Sequence, residues 1–424
     1  MSPEITTEYA DVVIAGTGAA GLYAALNLPR SYRIIMVTKT TVEECDSMLA
    51  QGGICVLHDE QDYDAFFEDT LRAGHYENRH ESVDIMIRSS RAVINDLIRM
   101  GVRFAREDNG ELAYTREAAH SRARICYHKD ITGKEITSTL LRHVQACSNI
   151  EIREHTSMID IIEEAGECKG LIAQDNEGHT TRIMASATLM ATGGIGGLYE
   201  HTTNYPHLTG DALRIAAAHE IELEHTDYVQ IHPTSLYTTK PGRAFLISES
   251  CRGEGAILLN ARKERFTDEL QPRDVVTNAI HAQMEEEGSE HVWLSFERIP
   301  ADEIRQHFPT IYETCLEEGY DITQEPIPVV PAQHYFMGGV HVDKHSETTL
   351  PRLFAIGETS CNGVHGKNRL ASNSLLESLV FAKRAAEYST ATYTSSLTGT
   401  PAILTDVSVD TALPTSTPET IYSR

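Results

Sequence analysis

The sequence predicts an α/β fold, interrupted once by a second unit, and three strand-to-glycine junctions carry that prediction. Asp11-Val12-Val13-Ile14-Ala15 reads as a buried strand running straight into Gly16-Thr17-Gly18-Ala19-Ala20-Gly21 and an apolar helix pattern through Leu22, Ala25 and Leu26. Ala187-Thr188-Leu189-Met190-Ala191 reads as a further strand entering Thr192-Gly193-Gly194, and Leu353-Phe354-Ala355-Ile356 enters Gly357. The first junction has the Rossmann-like pattern: Gly16 permits the tight turn, Gly18 lets the backbone approach a pyrophosphate, and Gly21 lets helix and strand pack closely. The second suggests another close backbone approach to the same dinucleotide.

The remaining elements follow in chain order. A second strand, Tyr32 to Val37, ends in Thr38-Lys39-Thr40, where an acidic ribose ligand often sits; Glu43 and Glu44 arrive late, which argues against NAD. Strand and helix patterns alternate to about residue 225, with a hairpin excursion from Ile150 to Ile183 around Asn176-Glu177-Gly178. From Tyr228 to Tyr335 proline and charge increase, and Asn278 to Glu287 reads as an acidic helix, so this stretch is an inserted domain. The segment Gly357 to Glu377 then combines glycines, a histidine, Arg369 and a helix start at Ser372-Asn373-Ser374, a pattern suited to binding an anion or a polar ring edge. The expected organisation is 1–225 and 341–388 for the dinucleotide domain, 226–340 for the insertion and 389–424 for a tail. In that tail 16 of 36 residues are Ser or Thr, so it is expected to be poorly ordered.

Composition narrows the function classes. With 424 residues and 41% hydrophobic content the chain can bury a large core and form two or more domains. It has no apolar run of membrane-spanning length, and MSPEITTEYADVV lacks a basic n-region, so a cytoplasmic location is expected. The eight cysteines are scattered without C-x-x-C or zinc spacing, which points to reduced thiols and no metal. A net charge of −26 argues against nucleic acid and acidic membranes as partners, and an anionic ligand would need a locally basic pocket.

Three polar clusters each end an apolar run. His232-Pro233-Thr234 follows Val229-Gln230-Ile231, Ser248-Glu249-Ser250-Cys251-Arg252 follows Phe245-Leu246-Ile247, and His334-Tyr335 follows the stretch Ile327 to Pro331. Taken singly, each histidine reads as structural and Arg273-Asp274 after Pro272 as a helix-start ion pair. Together they supply two histidines, a hydroxyl and several arginines, a set suited to gripping two carboxylates.

These pieces resemble the flavoprotein family of succinate dehydrogenase, fumarate reductase and L-aspartate oxidase, most closely its L-aspartate oxidase branch, over roughly residues 8 to 388. The resemblance rests on Ala50-Gln51-Gly52-Gly53-Ile54, the HPT at His232, RGEGA at Arg252, PRDVV at Pro272, the run from His307 to Val340 and HGKNRLASNSLLES from His365. It implies an FAD-binding domain interrupted by an α+β capping domain, with a C4 dicarboxylate held between them. Gly16, Thr17, Gly18, Ala19, Ala20 and Gly21 would hold the FAD pyrophosphate, with Lys39 near the adenosine end. Ser47, Ala50, Gln51, Gly52 and Gly53 would wrap the flavin, Asp211 and Glu358 would add contacts, and Ser374 and Leu375 would present amides to its edge. Asp46 stands where covalent relatives carry a flavin-linked histidine, so the FAD is expected to be bound without a covalent link. His232, Ser248, His334 and Arg369 match the dicarboxylate ligands, Ser248 replacing the usual threonine. Arg273 matches the proton-transferring arginine, with Glu249 and Arg252 as its relay, and Glu117 matches the residue facing the substrate ammonium. The implied reaction is oxidation of L-aspartate to iminoaspartate, with oxygen or fumarate as acceptor and quinolinate synthase consuming the product. The alternatives are a soluble fumarate reductase or succinate dehydrogenase-type flavoprotein using the same cleft, and a non-catalytic flavin-binding or nucleic-acid-associated protein. Members of the family usually continue into a further helical domain, which the sequence after residue 388 does not resemble.

Overall fold

The computed structural model of the chain describes residues 5–240 and 242–393. Its largest sheet has seven strands. Ile150–Arg153, Ile34–Val37, Ile5–Ala15 and Thr180–Met190 lie side by side in parallel, and Glu167–Asp175 and Thr156–Glu164 extend the sheet antiparallel. The long strand Thr180–Met190 serves two neighbours: Thr180 to Met184 pair with Gly170 to Gln174, while Thr188 to Met190 pair in parallel with Leu353–Ala355. The expected separate strand at Ala187 to Ala191 is therefore the far end of this one. Its Ser186-Ala187 stretch has the same extended backbone as the hairpin arm before it, so no break in texture becomes a break in structure.

Why the central strands read as unbroken apolar runs follows from their two faces. Val12 and Ile14 pack into one core with the helix Ala19–Asn27, while Val13 and Ala15 pack into another on the opposite face. Ile34 and Met36 divide from Ile35 and Val37 in the same way, as parallel strands covered on both sides must. The first strand begins at Ile5, six residues before the expected start, because its mostly exposed, polar first half pairs with Thr180 to Ala185.

The inserted unit is α+β with its own core. Val229–Leu236, Ile327–Phe336, Val292–Ser295 and Ile257–Leu259 form an antiparallel sheet in that order, and the helices Arg273–Glu287, Ala301–His307 and Pro309–Glu317 accompany it. Val276, Ile280, Leu294, Ile311 and Val329 pack together there. The chain returns through Gly339–His341, which pairs with both Leu223–Glu224 and Ser360–Cys361. The helix Ser374–Thr392 then packs on Ala19–Asn27 and His80–Arg99. It runs four residues into the segment expected as tail, with Tyr393 as its C-cap; residues 394–424 lie outside the described residues. Among the described residues no helix is long and apolar enough to cross a membrane.

Candidate active site

One cavity, with an empty volume of about 1700 Å³ opening to solvent, runs from the end of the second strand to the inserted sheet. Its first section is built by the glycine turn. Gly16 has φ +113, and a Cβ there would lie 2.0 Å from the Ala191 carbonyl oxygen, so no other residue fits. Gly21 does not line the cavity; it lies against the Gly16 carbonyl and lets the helix approach. Between them, Gly18 begins the helix Ala19–Asn27 with no side-chain cap, and the Ala19 amide meets Ser47 Oγ at 3.0 Å. Thr17, Gly18, Ala19 and Ala20 thus form the wall with helix amides at one end, a setting suited to a pyrophosphate. Gly16→Ala is expected to yield protein with severalfold less bound flavin, read from the visible absorbance of the purified chain; full flavin content would contradict the close-approach argument.

Lys39 and Asp211 line the same section and bind each other. Lys39 Nζ reaches Asp211 Oδ2 at 2.8 Å, Thr209 Oγ1 at 3.0 Å and the His207 carbonyl at 3.1 Å. Further along the wall come Ser47, Ala50, Gln51, Gly52 and Gly53, then Glu358, Ser374 and Leu375 at the start of the last helix. Two partly buried carboxylates face this middle section. Burial, then the neighbouring Asp46 charge, pushes Glu358 up to about 8, although the Phe336 amide donates to it at 2.8 Å. Burial likewise pushes Asp46 up to about 7; its Oδ1 accepts from the Tyr205 amide at 3.0 Å, and its Oδ2 has no partner. The elongated cradle, the helix amides and the unpartnered polar atoms Asp46 Oδ2 and Gln51 Oε1 fit a flavin dinucleotide.

At the far end the inserted sheet contributes its histidines through two irregularities in one strand pair. Gln230 pairs with Tyr335 but Ile231 pairs with Gln333, which leaves His334 as the extra, bulged residue. A second shift between His232 and Ser235 accommodates Pro233, which cannot donate to the ladder. Bulges re-aim side chains, and here they bring the two imidazoles to 5.1 Å, edge to face. His232 Nδ1 accepts from the Thr234 amide at 3.2 Å, so Nε2 carries the proton; that N–H is buried without a partner. His334 Nδ1 is bonded to Thr203 Oγ1 at 2.7 Å. Burial, reinforced by Arg273, lowers both histidines well below the usual imidazole range, so they are neutral hydrogen-bonding groups.

Cations converge on the same end. Arg273, the first residue of its helix, donates Nε–H to Glu249 Oε2 at 2.5 Å and Nη1–H to Gln230 Oε1 at 2.8 Å. The simple helix-start pair with Asp274 is not formed; Asp274 meets His75 instead. Burial would raise Glu249, but Arg273 and Arg252 outweigh it and hold the carboxyl below its ordinary range. Arg252 sits behind the cavity wall, fully buried, with Nη1–H donated to the Glu269 carbonyl at 2.7 Å and Nη2 at 3.5 Å from Glu249. Arg369 lies over the Tyr335 ring at 4.5 Å, donates to Ser374 Oγ at 2.8 Å, and keeps a buried Nε without a partner. Burial and Arg273 lower its pKa. Ser248 caps the short helix Glu249–Gly253 and lines the cavity. Glu117 lines the same cavity, buried and raised by desolvation and by Glu249.

All the expected site residues but Gly21 and Arg252 therefore line one cavity. Sequence reading passed over Gln230, which ties Arg273 to the Arg369 carbonyl (2.8 Å) and to Asn368 (2.7 Å). The signal was present, a polar residue between Val229 and Ile231 in a strand. Arg243, which also lines the cavity and sits beside Tyr205, had no such signal.

Comparison with known proteins agrees with this geometry. Residues 11–375 match the sequence family described as FAD binding domain. The L-aspartate oxidase of Clostridium perfringens is 49% identical over 378 residues, covering 89% of this chain and 86% of that protein. The L-aspartate oxidase of Clostridium acetobutylicum is also 49% identical, covering 89% and 87%. Among solved structures, a chain of the E. coli quinol fumarate reductase superposes with a TM-score of 0.86 at 31% identity, over 91% of this chain and 71% of that one.

Proposed function

The chain belongs to the L-aspartate oxidase family of FAD-binding flavoproteins, and we infer from its own residues how it oxidises L-aspartate to iminoaspartate. It is an FAD-dependent oxidoreductase, and bound FAD supplies the two-electron acceptor for the hydrogen leaving the substrate Cα. The observation that carries the residue assignments is the meeting, in one cavity, of two buried unpartnered donors, His232 Nε2 and Arg369 Nε, with Arg273 and Glu117.

Each group then has a task. His232, His334, Arg369 and Ser248 hold the two carboxylates, and a substrate with two fixed ends has its Cα in one place. Because the histidines are neutral, they orient by donation and leave net attraction to the arginines. Glu117 meets the ammonium. Arg273 presents a fixed positive group, and its proton exchange runs through Glu249 and the buried Arg252 behind it, since a guanidinium alone is a poor acid or base. Gly16 to Ala20, Lys39, Asp211, Ser47 to Gly53, Glu358, Ser374 and Leu375 hold FAD without a covalent link, Asp46 offering a carboxyl where attachment would need an imidazole. The basic lining answers the charge problem set by a net charge of −26: attraction is local to the cleft.

A cytoplasmic location and quinolinate synthase as consumer of the product complete the reading. Its test is donor specificity with the flavin spectrum recorded: L-aspartate is expected to bleach the flavin and turn over with oxygen or fumarate. Succinate oxidation without aspartate oxidation would sink it in favour of the fumarate reductase-type activity. Glu117→Gln is expected to raise KM for aspartate roughly 100-fold, the loss of a desolvated charge pair, while succinate affinity stays within about twofold.

A further inference from the structure

Glu117 is held by hydroxyls on both sides. Ser372 Oγ–H donates to Oε2 at 2.6 Å, and Ser372 Oγ is itself fixed by the Gly53 amide at 3.1 Å. Ser250 Oγ–H donates to Oε1 at 2.9 Å. The second bond joins two units: Ser250 lies in the inserted helix Glu249–Gly253, whereas Glu117 belongs to a loop of the dinucleotide domain. It also crosses a partition. Ser250 lines a small neighbouring cavity with an empty volume of about 350 Å³, and Glu117 lines the main one; Gln51, Gly52 and Ser248 face both. Ser250 is not part of the substrate wall; its hydroxyl oxygen also accepts from Ser248 Oγ–H at 3.2 Å, and its own hydroxyl hydrogen goes to Glu117.

We propose that Ser250 is a positioning residue which sets the preference for an amino dicarboxylate over one without the amine, by fixing the rotation and acceptor state of the Glu117 carboxylate. The inference rests on the reading of Glu117 as the ammonium's partner. A carboxylate has about four acceptor positions, two on each oxygen; one hydroxyl on each leaves one per oxygen for an ammonium. Gly52 packs close to Oε1, where a Cβ would lie 2.5 Å away, so the carboxylate has little room to find another arrangement. Burial and the Glu249 charge favour the protonated, non-binding form of Glu117, and the Ser372 and Ser250 hydroxyls, with Arg273, oppose them. Helix Glu249–Gly253 also carries the Glu249 that Arg273 binds, so the Ser250 contact ties ammonium recognition to the arginine's seat.

The test compares Ser250→Ala, Ser250→Thr and Glu117→Gln as FAD-loaded enzymes. One hydrogen bond to a charged group is worth about tenfold in affinity, so Ser250→Ala is expected to raise KM for L-aspartate about tenfold. The Kd for succinate, read as a change in flavin absorbance, is expected to stay within about twofold. Ser250→Thr, which keeps the hydroxyl, is expected to restore aspartate KM. Equal weakening of aspartate and succinate, or no change in either, overturns the proposal, since a merely structural serine would not separate them. A large aspartate effect in Glu117→Gln with none in Ser250→Ala overturns it alone. An unchanged aspartate KM in Glu117→Gln overturns the ammonium reading beneath it.

Discussion

Arg273→Lys is expected to lower kcat by about 10³-fold or more, the scale set by losing a preorganised charge at the reacting centre, while flavin content is unchanged. The guanidinium makes two divergent bonds, Nε–H to Glu249 and Nη1–H to Gln230, and a planar fork is what allows both at once. A lysine ammonium keeps the charge but reaches one partner at a time. It leaves either Glu249, buried among arginines, or Gln230, whose amide also holds the Arg369 backbone, without its donor. Arg273 belongs to the inserted unit and its side chain bonds Glu249 and Gln230, not the glycine turn of the dinucleotide domain, so flavin content separates a catalytic effect from misfolding. A kcat within tenfold of the parent, at full flavin content, would remove Arg273 from the reaction.

What the sequence could show follows from the range of each interaction. The glycine turn is local: strand, Gly16 and helix lie within a few residues, and the physical demand at each position is visible in composition. The inserted unit was also visible as a change of texture. His232 and His334 were visible as polar residues ending apolar runs, but their aim was not, because it depends on the register of one strand against another nearly 100 residues away. Glu117 and Ser250 are joined across 133 positions and two units, and no spacing rule anticipates such a contact. The polar first half of Ile5–Ala15 escaped for a related reason: it is mostly exposed, and its side-chain partners, Thr181 for Thr6 and Arg153 for Glu8, lie more than 140 positions away.

Arg124→Met is expected to destabilise the chain by about 3–5 kcal/mol, the usual consequence of removing one partner from a buried ion cluster. Arg124 is 0% exposed, with Nε–H and Nη2–H donated to the two oxygens of Asp62 at 2.7 and 2.9 Å and Nη1–H to Asp69 at 2.7 Å. Met fills the volume but leaves two buried carboxylates without their shared buried cation, each keeping only a partly exposed arginine, Arg72 at 2.6 Å from Asp69 and Arg122 at 3.6 Å from Asp62. For a chain of this size that corresponds to a fall in Tm on the order of 5 °C. Acid should act on the same cluster. Burial would raise Asp69, but the Ser121 and Arg124 donors outweigh it and hold its pKa below the ordinary carboxylate range. A carboxyl depressed in the folded state contributes stability that is complete above its unfolded pKa, about 4, and is lost as pH falls through the lower folded value. The parent should therefore lose this contribution only in strong acid, whereas Arg124→Met should show a smaller Tm deficit at low pH than at pH 7. The triple change Arg124→Met, Asp62→Asn, Asp69→Asn is expected to recover part of the loss, because it removes the two buried carboxylate charges along with their buried cation. The cluster also reaches the active site. Arg124 donates to His120 Nδ1 at 2.9 Å, which places the imidazole proton on Nε2, and that N–H meets the Ala371 carbonyl at 3.0 Å, beside Ser372 and two residues from Arg369. Burial and Arg124 lower His120 to about 4, so this link stays neutral across the working pH range. Arg124→Met should thus raise KM for aspartate as well as lower Tm, and an unchanged KM would show that the loop carrying Arg369 holds its shape without the buried charges.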